Sequence, residues 1–177
     1  MSIQSFSAGT FVPVLRMLST ILDKGAEHAK AKGIEPNSLL EARLAPDMLP
    51  LTFQIKFSCD QARDAISRLT GQPLVPIPDD EKTLADYKAR IEKSIAYVLS
   101  AKPDAFKGAE DREVEVPLMG DMVYAAKGSD FLREWTLPNF FFHVTTAYDI
   151  LRHNGVQLGK PDFMGYIGPH MRPKAKA

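Results

Sequence analysis

The sequence predicts an all-α protein, a four-helix bundle with a small β-hairpin between helices three and four. Three observations carry that expectation. Apolar residues recur at steps of three and four in four separate stretches, the spacing that lines one face of a helix. Segments rich in Pro, Gly and Asp divide those stretches. One segment alone, residues 112–127, switches to a two-residue period. The 177 residues suit one domain, 1–177, with residues 168–177 read as a flexible tail.

The first helix is marked by Phe11, Val14, Leu15, Leu18, Ile21, Leu22 and Ala26. Thr10 reads as its N-cap, with Pro13 in the first turn, and Gly33 as its stop. Residues 34–46 read as a connection, with a helical turn near Ser38 to Arg43. The second helix is expected from Asp47, a capping residue, through Leu51, Ile55, Cys59, Ala62, Ile66 and Leu69 to Thr70-Gly71. Pro73, Pro76 and Pro78 then make a surface loop. Thr83 and Asp86 have the spacing of a capping box, and Leu84, Tyr87, Ile91, Ile95 and Val98 follow as the inward stripe of helix three. Val114 and Val116 alternate with Glu113 and Glu115 before Gly120-Asp121, which predicts a hairpin packed on the helices. Ser129 is the expected cap of a fourth helix that runs to His153 and ends at Asn154-Gly155, kinked or split at Pro138. Residues after Lys160 read as irregular. The order of the helices round the bundle stays open, because two of the connections are long.

Composition excludes several function classes. The 22 basic and 22 acidic residues cancel and are interspersed, so no basic surface for nucleic acid is expected. One cysteine, Cys59, rules out an internal disulfide and a cysteine-rich zinc module, and its place on an apolar stripe reads as core. No uninterrupted apolar run approaches the roughly 20 residues of a bilayer span, and the N-terminal residues lack the pattern of a signal peptide. A cytoplasmic protein without membrane association is the expectation. Phosphate-loop and dinucleotide glycine patterns are absent.

The fourth helix carries the candidate chemistry. Phe140, Val144, Ala147, Tyr148 and Leu151 form one stripe, and Trp135, Asn139, His143, Thr146 and Ile150 a second beside it. Few positions remain for solvent, so the helix should be largely enclosed, with His143 inside the bundle and Asn139 and Thr146 on the same side. Such a histidine is either a hydrogen-bonded core residue or a polar anchor or general base in a pocket. No nucleophile is tied to it by spacing. His143 and His153 lie about 80° apart round an ideal helix and roughly 15 Å along it, too far to share a metal. No metal or other cofactor is expected. Helices one and four look richer in apolar surface than one bundle needs (Phe11, Val12 and Leu15; Phe141 and Phe142), which points to a homodimer.

The run Leu137-Pro138-Asn139-Phe140-Phe141-Phe142-His143 to Asn154-Gly155, with Asp162-Phe163-Met164-Gly165 after it, resembles the DUF1993 family. So do Pro46-Asp47-Met48-Leu49-Pro50-Leu51 and the segment from Phe53-Gln54 to Ala62. That family is similar to the DinB/YfiT-like superfamily, and the resemblance implies a four-helix bundle, often dimeric. Many of those proteins bind a divalent metal through three histidines, one on helix two and an H-x-x-x-H pair on the last helix. Aligned on Leu151-Arg152 and the terminal glycine, the pair falls on Asn139 and His143, and the helix-two position near Gln54. One histidine and two carboxamides make a poor zinc or nickel site. The resemblance implies no assigned activity. Three readings follow: a non-metal small-ligand-binding or regulatory protein with a cavity at His143, lined by Gln54, Asn139, His143, Thr146 and Trp135; a metal-dependent transferase or hydrolase; or a structural or interaction dimer with no ligand.

Overall fold

The structure, a computed structural model, describes residues 2–173. Four long helices dominate: α1 (Ile3–Lys32), α2 (Leu51–Thr70), α3 (Leu84–Ser100) and α4 (Leu137–His153). A hairpin of β1 (Glu113–Pro117) and β2 (Val123–Lys127) lies between α3 and α4. Helix α2 packs most extensively against α4 and α3, and α1 packs against α3 and touches both α2 and α4. Helices α3 and α4 stand on opposite sides of the bundle. The ring therefore runs α1–α3–α2–α4 and is not the order of the sequence.

Helix α1 starts eight residues earlier than the Thr10 cap predicts. Ser2 caps it by accepting from the Ser5 amide, and Pro13 sits within the helix. Pro13 leaves one intrahelical bond unmade, and burial on both sides of it offsets that loss: Ile3, Ser7, Phe11 and Val14 all face the core. Most of the apolar surface of α1 is used inside the monomer, with Phe6 left exposed. Phe11, Val12 and Leu15 are buried, so they are not the surplus that the sequence suggests for a dimer. By length and mean hydropathy α1 is also long and apolar enough to cross a bilayer, which a search for uninterrupted apolar runs overlooks; 56% of that window is buried against the other helices.

Helix α2 begins at Leu51, after Pro50, and not at Asp47. Pro50 is extended and forms the boundary itself. Helix α3 begins as expected, with both bonds of the Thr83–Asp86 capping box formed. Val114 and Val116 turn inward from β1 and pair with Ala126 and Tyr124 of β2. Arg68 and Arg112 tie this end of α2 to the hairpin through the carbonyls of Glu115 and Leu69.

The entry to α4 is helical from Gly128, close to the expected start, but its end is held differently. Ser129 makes no cap. The free amides of Gly128 and Ser129 donate instead to the carbonyls of Arg112 and Glu110. A Cβ at Gly128 would meet the Ala109 carbonyl oxygen at 2.0 Å, so only glycine allows this approach. Residues Phe131–Thr136 then wind as a π-helix, and the Leu137 amide reaches the Leu132 carbonyl five residues back. Pro138 follows directly. Its ring crowds the carbonyl four residues earlier, and the wider turn absorbs that clash without breaking the helix. From Lys160 the chain is not irregular: Lys160–Phe163 and Gly165–His170 form a short α-helix and a 3-10 helix. Of the tail read at 168–177, residues 174–177 lie outside the described residues.

Candidate functional site

The run Phe140-Phe141-Phe142-His143 shows how α4 divides its faces. Phe140 is fully buried and meets Phe11 edge-on at 5.0 Å. Phe141 is half-buried, and Phe142 is 56% exposed. Helix α4 is therefore not enclosed: α3 stands across the bundle from it, which leaves one side open. His143 lies at the edge of that open side, half-buried, where α4 meets α2.

Gln54 of α2 faces it. The Gln54 Nε2 donates to the Leu49 carbonyl at 2.9 Å, which turns its Oε1 towards His143. That oxygen lies 2.9 Å from His143 Nδ1 and can only accept, so Nδ1 carries the proton. In the neutral ring Nε2 is then left with its lone pair. Burial holds the imidazole below its ordinary value of 6.5, which favours this neutral form.

Aromatic rings frame the imidazole. Phe57 stacks on it with centroids 5.0 Å apart, and Phe142 meets it edge-on at 5.2 Å. Phe53 lies 5.9 Å from Phe57 and is itself exposed, as is Leu49. The site is an aromatic platform open to solvent, with one hydrogen-bond acceptor in it. Phe53 and Phe57 escape a reading centred on α4. Their signal is that they sit four residues apart, beside the buried stripe of α2 and not on it.

The other sequence candidates are engaged elsewhere. Asn139 Nδ2 donates to the Trp135 carbonyl at 2.6 Å, and Thr146 Oγ1 to the Phe142 carbonyl at 2.7 Å. Both side chains fold back on their own helix. Trp135 stacks on Tyr124 of the hairpin at 5.2 Å. Of the five candidate residues, Gln54 and His143 are the pair joined side chain to side chain. Among the described residues no three His, Cys, Asp or Glu side chains gather as a metal site. Cys59 is buried, and burial pushes its thiol up to about 12.

A second polar cluster went unseen in the sequence. Arg63 and Arg90 are almost wholly buried beneath the proline-rich loop. Arg90 holds Glu81 at 2.7 Å, Asp60 at 3.0 Å and Asp79 at 3.2 Å. Arg63 donates to the Val75 carbonyl and lies over the Tyr97 ring. These groups pin the loop to α2 and α3.

The fold has a solved counterpart. A crystal structure described as a DinB family member protein from Shewanella denitrificans is 34% identical, with a TM-score of 0.88. The match covers 97% of this chain and 96% of that one. No curated protein matches the sequence. The model of the family described as a domain of unknown function, DUF1993, matches residues 4–164. On that match and on the bundle it describes, the chain belongs to the DUF1993 family and has a DinB-like four-helix fold.

Proposed function

We propose that the protein is a small-ligand-binding protein whose site is the aromatic platform at His143, and that it works without a metal. The carrying observation is the Gln54–His143 hydrogen bond. It fixes the neutral ring in one tautomer and leaves the Nε2 lone pair on an imidazole framed by Phe57 and Phe142, with Phe53 against Phe57. A flat apolar molecule with one N–H or O–H donor matches that surface: stacking holds the body and Nε2 accepts the donor. Asn139, Thr146 and Trp135 shape the helix behind the platform, through the bonds they make to α4 and the hairpin.

The donor set argues against the metal-dependent reading. Gln54 Oε1 already accepts from His143, and the Asn139 amide is committed to a backbone carbonyl. One imidazole nitrogen remains beside neutral carboxamide oxygens, which are weak ligands, where a divalent zinc or nickel site needs three or four good donors. The dimer reading draws support from a different observation. Leu49, Phe53 and Phe142 are all exposed around His143, and a second copy covering them would place the platform at a subunit boundary.

Imidazole nitrogen shifts from NMR test the proposal directly. The expected result is a protonated Nδ1 and a bare Nε2 for His143, with Nε2 moving when indole or phenol is titrated in. A ring protonated at Nε2 in the free protein, or aromatic probes that leave it unmoved, would sink the reading.

A further inference from the structure

We infer that a second binding site, separate from the His143 platform, lies where the π-helix meets the start of α1, and that it takes a short alkylammonium-type ligand. A half-open cavity of about 320 Å³ lies there. Ile3, Phe6, Leu132 and Leu137 supply its apolar wall, and Glu110, Ser129 and Arg133 its polar rim. The volume falls within the range of small-molecule sites, roughly 300–1,000 Å³.

The wall exists because of local backbone. The π turn carries Leu132 and Arg133, and Leu137 closes it through the bond to the Leu132 carbonyl. Such wide turns are uncommon and recur at functional sites. On the other side, Ile3 is held at the rim by its own amide, which donates to Glu110 Oε1 at 3.3 Å.

Charge selects the head group. Among the described residues Arg133 is the one cation lining the cavity, and it is paired with both Asp130 and Glu134 at 2.7 Å. Two carboxylates against one guanidinium leave that cluster negative. Glu110 adds a third carboxylate, partly offset by the positive end of α1 that it faces. The rim thus favours a cation, and the apolar wall takes its chain. An anionic head would meet two centres of like charge.

Hexylammonium and hexanoate, titrated separately into the full chain, distinguish the cases. Saturable shifts of the Ser129, Leu132 and Leu137 amides are expected, with hexylammonium about tenfold tighter. Ser129 is exposed, so Ser129→Trp should fill the cavity and abolish binding, and Phe6→Ala, also at an exposed position, should weaken it. Glu110→Gln keeps an acceptor for the Ile3 amide and should bring the two affinities together. His143→Ala should change neither, which separates this site from the platform. Absence of saturable binding, equal affinity for both probes, or binding that survives both Ser129→Trp and Phe6→Ala would overturn the proposal.

Discussion

Gln54 and His143 meet across the α2–α4 boundary at 2.9 Å, although 89 residues separate them in the chain. The contact sets the protonation of the imidazole, and burial lowers its affinity for a second proton. The unfolded chain therefore binds that proton more readily than the native one. Stability from this group is complete above pH 6.5 and declines as the pH falls from there through the lower native value. Urea melts at stepped pH should show this loss in the wild type and a shallower one in His143→Phe. Gln54→Glu places a carboxylate against the ring and should move its NMR titration upward.

Removing the imidazole leaves the Gln54 carbonyl without its partner at the edge of the bundle. His143→Ala should cost about 1–2 kcal/mol, because the platform is half-open and water reaches part of the vacated space. Gln54→Ala, His143→Ala and the double variant form a cycle. A coupling near 1 kcal/mol is expected from chemical denaturation. Additive losses would mean that the bond contributes nothing.

Arg90 should be far less tolerant. It is 2% exposed and bridges Glu81, Asp60 and Asp79, so Arg90→Met strands carboxylates against a buried apolar group. The expected cost is about 3–5 kcal/mol. Proteolysis of the loop between Gly71 and Thr83 should rise in the same variant, because that residue pins it.

Two glycines should respond in opposite directions. Gly128→Ala drives a methyl group into the Ala109 carbonyl and should lose about 1–3 kcal/mol, seen as a lower melting temperature. Gly9 lies inside α1 with nothing within 4 Å of an added Cβ. Gly9→Ala should gain up to about 1 kcal/mol from helix propensity.

Cys59 supplies a probe of global opening. Its thiol is buried and pushed up to about 12, so a disulfide reagent at pH 8 should leave native protein unmodified. Full reaction is expected in denaturant. Fast labelling of the native state would contradict the buried placement.

What the sequence shows of this molecule is what short-range chemistry decides. The Thr83–Asp86 box, the Gly33 and Gly71 stops and the hairpin from Val114 to Ala126 each depend on residues a few positions apart. The start of α1 is misread because Pro13 looks like a first-turn residue, and only burial by other helices keeps it inside one. The helical stretch that leads into α4 starts at Gly128, within two residues of the Ser129 cap; the cap alone is misread, because the partners there are carbonyls from Glu110 and Arg112, not a side chain. At the candidate site, His143 is legible from the stripes of the fourth helix and Gln54 from the family resemblance. Phe57 is not, since nothing local tells a half-exposed phenylalanine that it will stack on a ring from another helix. Arg63 and Arg90 carry no local signal of burial, because the loop that covers them closes only in the folded chain.

The order of helices round the bundle has a consequence for how the chain assembles. Helix α2 finds its most extensive partner in α4, so during synthesis its apolar face is made long before that partner exists. Only α2 and α3 are neighbours both along the chain and in the ring, which makes their hairpin the part able to form first. Closing the bundle then requires a loop of 89 residues between Gln54 and His143, an entropic cost that a simple up-and-down bundle avoids. Folding slower than that of such a bundle, with α4 docking last, follows from the topology alone.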